Sequence, residues 1–281
     1  MPKIDQKLIN SVCFLFATEE AAIAGKYPGG TAFIVGMQIA DTIASFYYCV
    51  SCHHVVMSGN QFIRLRKFDG SVDIINIPTE EWQFSPDIGD AAACRLYINE
   101  TTHAFSVIHS SSFLTREIVA DREIGIGEDI FMLGVFDEET GLRYSNVNAP
   151  VARFGNISMM PSTAGMILER PFGYKQRFII DMHSRSGFSG SPVFVFRVAN
   201  ADVTKEDTND FPFFSNNIFR LLGLHVGQFP EYWKAKHNGG ELTIRGVSGM
   251  TIAVPAWDLT KLLACQAFAD DRAATGAQFS G

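Results

Sequence analysis

The sequence has no long apolar run, which excludes a helical membrane protein. A membrane-spanning helix needs about 18 apolar residues, and the most apolar region here, residues 31–50, is interrupted by Gln38 and Asp41. The first apolar run, residues 12–17, is too short for a secretory signal and is followed by two glutamates. We therefore expect a cytoplasmic protein with no membrane partner.

Cysteine is also scarce, which excludes a disulfide-rich scaffold. The 5 cysteines are scattered along the chain, and their odd number leaves at least one thiol free in a monomer. Cys49 and Cys52 stand just before His53 and His54, as metal ligands can, but nothing elsewhere in the sequence supplies the second half of such a site. We expect reduced cysteines, no metal and no cofactor.

The charge of the chain is low and mildly acidic. Charged residues make up 19% of the sequence, and 23 Lys plus Arg are outnumbered by 30 Asp plus Glu, which gives a net charge of −7. This balance, with no basic cluster, excludes a typical nucleic-acid-binding protein. Disorder is excluded as well, because 47% of the residues are hydrophobic and the 24 phenylalanines can fill a large core.

Short apolar segments follow one another along most of the chain, separated by glycine, proline and polar residues. Such spacing without helical periodicity predicts an all-β protein of the sandwich or barrel type. The segments form two groups joined near residues 110–125, which predicts two β units. A proline at position 255, followed by apolar residues on one helical face up to Leu263, predicts a closing C-terminal helix.

Four further stretches are predicted to lie outside the regular structure. The tail, residues 266–281, is rich in alanine, glycine and serine and is predicted to be flexible. Three stretches, 137–150, 197–217 and 228–246, are predicted to be long loops, which in a compact domain are often functional.

A glycine-framed serine is the strongest chemical signal. In the run GFSGSP at residues 187–192, two glycines allow the sharp turn that points backbone N–H groups into one concavity around Ser189. Such N–H groups can stabilise the oxyanion of an acyl-transfer intermediate. Ser186 and Ser191 lack this frame. The run is also compatible with an ordinary turn between two strands, so the pattern alone leaves both interpretations open.

A serine nucleophile needs a general base, and the base needs an orienting acceptor. A histidine pair, His53 and His54, follows an apolar run, and histidine is the natural base near neutral pH. Asp87 and Asp90 compete as the acceptor. The apolar run that follows Asp90 directly favours it.

In this order, the runs resemble those of the trypsin/chymotrypsin-like serine proteases over roughly residues 11–264. The matching runs are GTAFIV at 30–35, VSCHHVV at 50–56, DAA at 90–92 and GFSGSP at 187–192. The resemblance implies two six-stranded antiparallel barrels with a C-terminal helix. The first barrel, residues 1–118, would carry His54 and Asp90, and the second, residues 119–265, would carry Ser189 and the specificity pocket.

The resemblance also implies an activity, the hydrolysis of peptide or protein substrates through an acyl-enzyme. It assigns the nucleophile to Ser189, the general base to His54 rather than His53, and the orienting carboxylate to Asp90. The backbone N–H groups of Gly187 and Ser189 would form the oxyanion hole.

The strand GLHVG at residues 223–227 resembles the pocket strand of glutamyl endopeptidases and of related viral proteases. In those groups a histidine here and a Ser or Thr five residues before the nucleophile bind a Glu or Gln side chain; the counterparts are His225 and Ser184. His183 stands where proteases that cleave after Lys or Arg carry an aspartate, which disfavours that specificity. A histidine on a strand can equally be a satisfied core residue.

One position departs from the zymogen-type members of the family. Phe188 replaces the aspartate that pairs with a newly cleaved N-terminus, so activation by cleavage is not expected, and a regulatory protein partner is a candidate control. Two other functions remain open. One is a protease-fold module that binds partners without turnover, and the other is a redox or metal sensor that uses Cys49 and Cys52.

Overall fold

The computed structural model describes residues 3–38, 45–135, 149–182, 187–198, 217–237 and 240–279. Most of these residues lie in strands. The strands of the N-terminal unit are β1 Val12–Phe16, β2 Gly30–Gln38, β3 Ser45–Ser51, β4 Phe62–Arg66, β5 Val72–Asn76, β6 Gln83–Phe84, β7 Ala92–Arg95 and β8 Ile108–His109. Those of the C-terminal unit are β9 Asp129–Gly134, β10 Val151–Met159, β11 Met166–Glu169, β12 Gly173–Gln176, β13 Phe178–Asp181, β14 Pro192–Val198, β15 Asn217–His237 and β16 Gly240–Pro255.

Short helices interrupt the strands, and two longer ones end the chain. They are α1 Gln6–Asn10, α2 Glu19–Ala24, α3 His53–Met57, α4 Arg116–Asp121, α5 Ala256–Leu263 and α6 Gln266–Phe279. No helix within the described ranges is both long and apolar enough to span a membrane.

The N-terminal unit is a curled sheet rather than a closed barrel. Its strands are ordered β5-β4-β1-β2-β3-β7-β6, and β8 pairs with β2 in parallel. The six-stranded barrel that the resemblance implies for this unit is present as a curled sheet, in which two further short strands bring the number to eight. One edge of this sheet is β6, which has two residues and pairs with β7.

The C-terminal unit is a closed six-stranded antiparallel barrel with the order β10-β13-β16-β15-β14-β9. Phenylalanines fill its interior. The ring of Phe131 stacks on Phe194 at a centroid distance of 5.0 Å and meets Phe219 edge-on at 5.5 Å. Offset and edge-to-face contacts of this kind add to the free energy gained by burying the rings.

The predicted C-terminal helix is present as α5, which buries Leu259, Leu262 and Leu263 on one face. A second helix, α6, follows where a flexible tail was expected. Its Phe268 is only 4% exposed and its Arg272 donates a hydrogen bond to the Tyr48 hydroxyl at 2.8 Å. The flexible tail was predicted from amino-acid composition, and composition contains no information about contacts with distant parts of the chain.

The all-β class, the two β units and the closing helix are confirmed: a curled sheet is followed by a closed six-stranded antiparallel barrel and a C-terminal helix. The expected boundary between residues 118 and 119 falls inside α4. Of the three expected loops, residues 137–148 and 199–216 lie outside the described residues. The third, residues 228–246, instead extends the β15–β16 hairpin, in which Trp233 pairs with Ile244.

Candidate active site

Strand pairing brings the expected base and its acceptor to one end of the N-terminal sheet. Strands β3 and β7 are antiparallel, with Ser51 opposite Ala92. His54 comes three residues after Ser51 and Asp90 two residues before Ala92, so both lie beyond the same end of the ladder. The chain after β3 turns at Cys52 directly into α3, which places His54 in the first helical turn.

The Asp90 carboxylate binds His54 at two atoms. Oδ1 accepts a hydrogen bond from the backbone N–H of His54 at 2.8 Å, and Oδ2 lies 2.5 Å from the ring Nδ1. First-turn N–H groups of a helix have no partner within the helix, so the carboxylate also satisfies the start of α3. The His54 side chain is 48% exposed and that of Asp90 13%, which leaves the ring accessible and shields the carboxylate.

His53 and Asp87, the alternatives to His54 and Asp90, make different contacts. The ring of His53 packs against Phe84 and Phe172, at centroid distances of 4.4 Å and 5.4 Å. The backbone carbonyl of Asp87 accepts a hydrogen bond from Lys175 Nζ at 3.0 Å. Asp90, and not Asp87, is therefore the carboxylate that meets His54.

The serine turn is formed by two glycines and held by the other unit. Gly187 and Gly190 have φ values of +91° and +90°, in the left-handed region that favours glycine. Thr31 of β2 donates its backbone N–H to the Ser189 carbonyl at 2.9 Å and its hydroxyl to the Gly187 carbonyl at 2.7 Å. A side chain at Gly190 would overlap the Thr31 carbonyl oxygen, so the turn and β2 fit only with glycine there.

Ser189 lies at the middle of the serine turn. It is partly exposed, and its hydroxyl donates to the Val226 carbonyl at a long distance of 3.5 Å. Cys52 links the two halves of the site. Its Sγ lies 3.2 Å from the His225 carbonyl, which also accepts from the Gly190 N–H, and it lies within 4.8 Å of ligand atoms of His54 and Asp90. The structure thus brings His54 and Asp90 into direct contact, and Cys52, next to both, shares the His225 carbonyl with the Gly190 N–H of the serine turn.

The expected oxyanion donors are the backbone N–H groups of the serine turn. Within the described part of the chain, no atom accepts a hydrogen bond from the backbone N–H of Gly187 or Ser189. The turn is closed instead by the Ser191 N–H, which donates to the Phe188 carbonyl at 3.0 Å. Ser191 itself is fully buried, which removes it as a candidate nucleophile.

His225 lies beneath the serine turn, 1% exposed. Its Nδ1 is 3.0 Å from the Phe188 carbonyl, and because a carbonyl only accepts, this nitrogen carries the proton. Its Nε2 is buried and has no hydrogen-bond partner among the described residues. Burial, assisted by the nearby His54, lowers the pKa of His225 to about 4. The other two expected pocket residues, His183 and Ser184, lie outside the described residues.

One group within the described ranges could offer metal ligands, namely Cys52, His54 and Asp90. The arrangement fits a metal poorly. His54 Nδ1 and Asp90 Oδ2 already share a short hydrogen bond, and burial raises the pKa of the Cys52 thiol, whereas a metal needs the thiolate. All five cysteines are free thiols.

Sequence reasoning missed the residues that hold the site from the second unit. The backbone N–H of Asp90 donates to Glu169 Oε1 at 2.5 Å, and Glu169 is bound in turn by the buried Arg177. Neither residue belongs to a recognisable run. The one signal near Asp90 in the sequence is the glycine before it, Gly89, whose φ of +95° lies in the region that favours glycine.

No family model matches the sequence, and no curated protein matches it. Solved structures do match. The structure described as that of Deg5 is 14% identical with a TM-score of 0.48, over 91% of this chain and 88% of that one. The active form of the Rv3671c protease from M. tuberculosis is 13% identical with a TM-score of 0.48, over 92% of this chain and 82% of that one. The fold class is established by the strand order and the closed barrel, and these matches do not extend it to an activity.

Proposed function

We propose that the protein is a serine endopeptidase with Ser189 as nucleophile, His54 as general base and Asp90 as the orienting carboxylate. The observation that carries the proposal is the double contact between Asp90 and His54. Because Oδ2 accepts from Nδ1, the other ring nitrogen, Nε2, is left with a free lone pair. The His54 ring is half-exposed, and in the proposed mechanism Nε2 accepts the proton of the Ser189 hydroxyl.

The proposed reaction uses these three residues in turn. The Ser189 hydroxyl leaves the Val226 carbonyl, an inexpensive step because a 3.5 Å hydrogen bond is weak, and gives its proton to His54 Nε2 as Oγ attacks the scissile carbonyl carbon. The backbone N–H groups of Gly187 and Ser189 stabilise the oxyanion. His54 returns the proton to the leaving amine as the C–N bond breaks, and a water molecule hydrolyses the acyl-enzyme by the same steps.

The pocket proposal is a preference for Glu or Gln before the scissile bond, with His225, Ser184 and His183 in its wall. The state of His225 supports Gln over Glu. With Nδ1 donating to the Phe188 carbonyl, the neutral ring presents Nε2 as an acceptor. The amide NH₂ of glutamine can donate to that acceptor, whereas a carboxylate cannot.

Cleavage of a peptide library by the wild type, Ser189→Ala and His54→Ala tests both proposals. We expect turnover by the wild type only, with Gln preferred to Glu at neutral pH. Strong cleavage after Lys, Arg or Phe would overturn the pocket proposal and leave the endopeptidase standing. No cleavage of any peptide would overturn the endopeptidase and favour the alternative, a protease-fold module that binds peptides or a regulatory partner without turnover.

A further inference from the structure

The turn that carries Asp90, residues 88–90, is held from outside its own unit. The side chain of Asp90 points to His54 in the N-terminal unit. Its backbone N–H donates to Glu169 Oε1 at 2.5 Å, and Glu169 is the last residue of β11 in the C-terminal unit. The orientation of the carboxylate is therefore set by both units at once.

Arg177 holds the same turn at its other end. Its Nε and Nη2 bind the two oxygens of Glu169 at 2.8 Å and 3.1 Å, and Nη2 also donates to the Ile88 carbonyl at 2.6 Å. The Arg177 side chain is 1% exposed and that of Glu169 12%, with Asp258 3.7 Å from Nη1. A charged, planar, fork-shaped contact of this kind is stronger and more directional than a neutral hydrogen bond.

Gly89 shows how closely the pair approaches the backbone. The carbonyl before Gly89 and the N–H after it are the two groups that Arg177 and Glu169 bind. A Cβ at this residue would overlap both Glu169 Oε1 and Arg177 Nη2, and its φ of +95° also favours glycine. The backbone and the ion pair thus fit each other without space for adjustment.

We propose that the buried Glu169–Arg177 pair positions the proposed catalytic carboxylate, by fixing the backbone of residues 88–90 so that Asp90 faces His54 Nδ1. Glu169 and Arg177 are positioning residues, since they act through the Asp90 backbone. The proposal rests on the proposed function for its effect on turnover. Its structural part, the control of the His54 tautomer, stands independently of any activity.

The arrangement makes a complete site depend on contact between the two units. The pair belongs to the C-terminal unit, and its acceptor and donor reach across to a turn of the N-terminal unit. A displacement of about 1 Å at a reacting group can reduce a rate about 100-fold. Loosening this contact would therefore reduce turnover with little effect on substrate affinity.

The test compares two double variants that differ only in the acceptor offered to Asp90. Removing one member of a buried ion pair strands the other charge and can unfold the protein, whereas replacing both with apolar residues is often neutral. The variants are Glu169→Leu with Arg177→Met, and Glu169→Gln with Arg177→Met. The control is Glu128→Leu with Arg197→Met, which removes another ion pair of the C-terminal unit, outside the proposed site.

Two measurements are made on each variant. The ring ¹⁵N chemical shifts of His54, taken at mildly alkaline pH, report which nitrogen carries the proton, and peptide hydrolysis gives kcat and KM. We expect the Leu variant to move to a mixture of His54 tautomers and to lose about 100-fold in kcat, with KM within about twofold. The Glu128 control should keep the wild-type shifts and rate within about threefold. The Gln variant keeps an acceptor for the Asp90 N–H but lacks the Arg177 donor to the Ile88 carbonyl, so its tautomer mixture and its kcat should lie between those of the wild type and the Leu variant.

Wild-type tautomer shifts in the folded Leu variant would overturn the positioning proposal, whatever the activity. The expected shift pattern in a wild type that cleaves no peptide would support the positioning proposal and count against the endopeptidase only.

Discussion

The two oxygens of Asp90 are not equivalent, and this difference decides what the residue can do. Oδ1 is tied to the His54 backbone N–H and Oδ2 to the His54 ring. One oxygen therefore anchors the carboxylate to the start of α3, while the other selects the tautomer of the base. A substitution that preserves shape and removes the second acceptor separates these two roles.

Asp90→Asn is that substitution. The amide oxygen should remain on the His54 backbone N–H, since only an oxygen can accept there, and the NH₂ group must then face His54 Nδ1. The ring is forced to carry its proton on Nε2, where it can no longer accept the Ser189 proton. We expect kcat to fall about 10⁴-fold with stability nearly unchanged, measured by peptide hydrolysis and urea unfolding.

Asp87→Asn is the matched control, because Asp87 is the nearby carboxylate that does not contact His54 in the described structure. It should keep wild-type kcat within about twofold. Equal losses in the two variants would contradict the assignment of Asp90.

Because His225 is buried in its neutral form, we expect the free energy of unfolding to fall in acid. Its pKa is about 4 in the folded protein against an ordinary 6.5, so between these values the unfolded chain binds the extra proton and the folded one does not. Stability contributed by the neutral ring is complete above pH 6.5 and is lost as pH falls toward the folded value. The loss should reach about 3 kcal/mol near pH 4.

His225→Asn isolates this effect, since its amide can still donate to the Phe188 carbonyl but does not titrate. Urea unfolding of both proteins from neutral to acid pH should show a steeper loss in the wild type. Parallel curves would show that His225 is not the buried neutral group described above.

At the scale of elements, sequence patterns predict strands well where a strand is long and buried. Among the short apolar segments from which strands were predicted, one spans residues 192–198 and coincides with β14, and another spans residues 61–66 and contains β4. Strands β11 and β12 were missed because they are four-residue, partly exposed strands of a separate hairpin. The histidine pair was expected at a strand end, yet it begins α3, since the turn at Cys52 depends on contacts that a local pattern does not contain.

The site was predictable to the extent that its chemistry lies in short runs. Asp90 was favoured by the apolar run that follows it, and His54 was chosen over His53 through the family resemblance; the structure brings the two together across a sequence separation of 36. The Glu169 contact spans a separation of 79 and the Arg177 contact one of 89. No local composition marks such partners, which only the docking of two β units brings into contact.

Two glycines with nearly the same backbone conformation allow the cost of backbone strain to be measured separately from the cost of steric overlap. Gly190 and Gly70 have φ values of +90° and +86°, but a Cβ at Gly70 has open space while one at Gly190 would overlap the Thr31 carbonyl. We expect Gly70→Ala to cost about 1 kcal/mol, from strain alone. Gly190→Ala should cost about 3 kcal/mol or more, since overpacking adds to strain.

Urea unfolding of both variants measures the difference. Similar costs would mean that the serine turn is not held against β2 as described.

At the scale of the whole molecule, α6 returns from the C-terminal unit to the N-terminal one. It follows α5 after the last barrel strand, yet the ring centroid of its Phe268 lies 4.8 Å from that of Tyr48 in β3. Arg272 binds the Tyr48 hydroxyl, and Asp271 lies 3.2 Å from Arg95 Nε of β7. The last described helix thus links the two units on a second surface.

Deletion of residues 266–281 should therefore destabilise the protein rather than remove an inert tail. Loss of the Phe268 contact and its polar neighbours should lower the free energy of unfolding by about 3 kcal/mol, measured by urea unfolding. Phe268→Ala should reproduce most of that loss. An unchanged urea midpoint in the deletion variant would show that α6 does not pack on β3.

The central claim is that Ser189 is an activated nucleophile, and phosphonylation tests it most directly. A fluorophosphonate probe reacts with a serine that a neighbouring base activates. Treatment of the folded wild type, followed by mass spectrometry of the peptide that contains residues 187–192, should locate a single adduct on Ser189. The adduct should be absent from Ser189→Ala and strongly reduced in His54→Ala. No labelling of the wild type, or equal labelling of Ser189→Ala, would contradict the account.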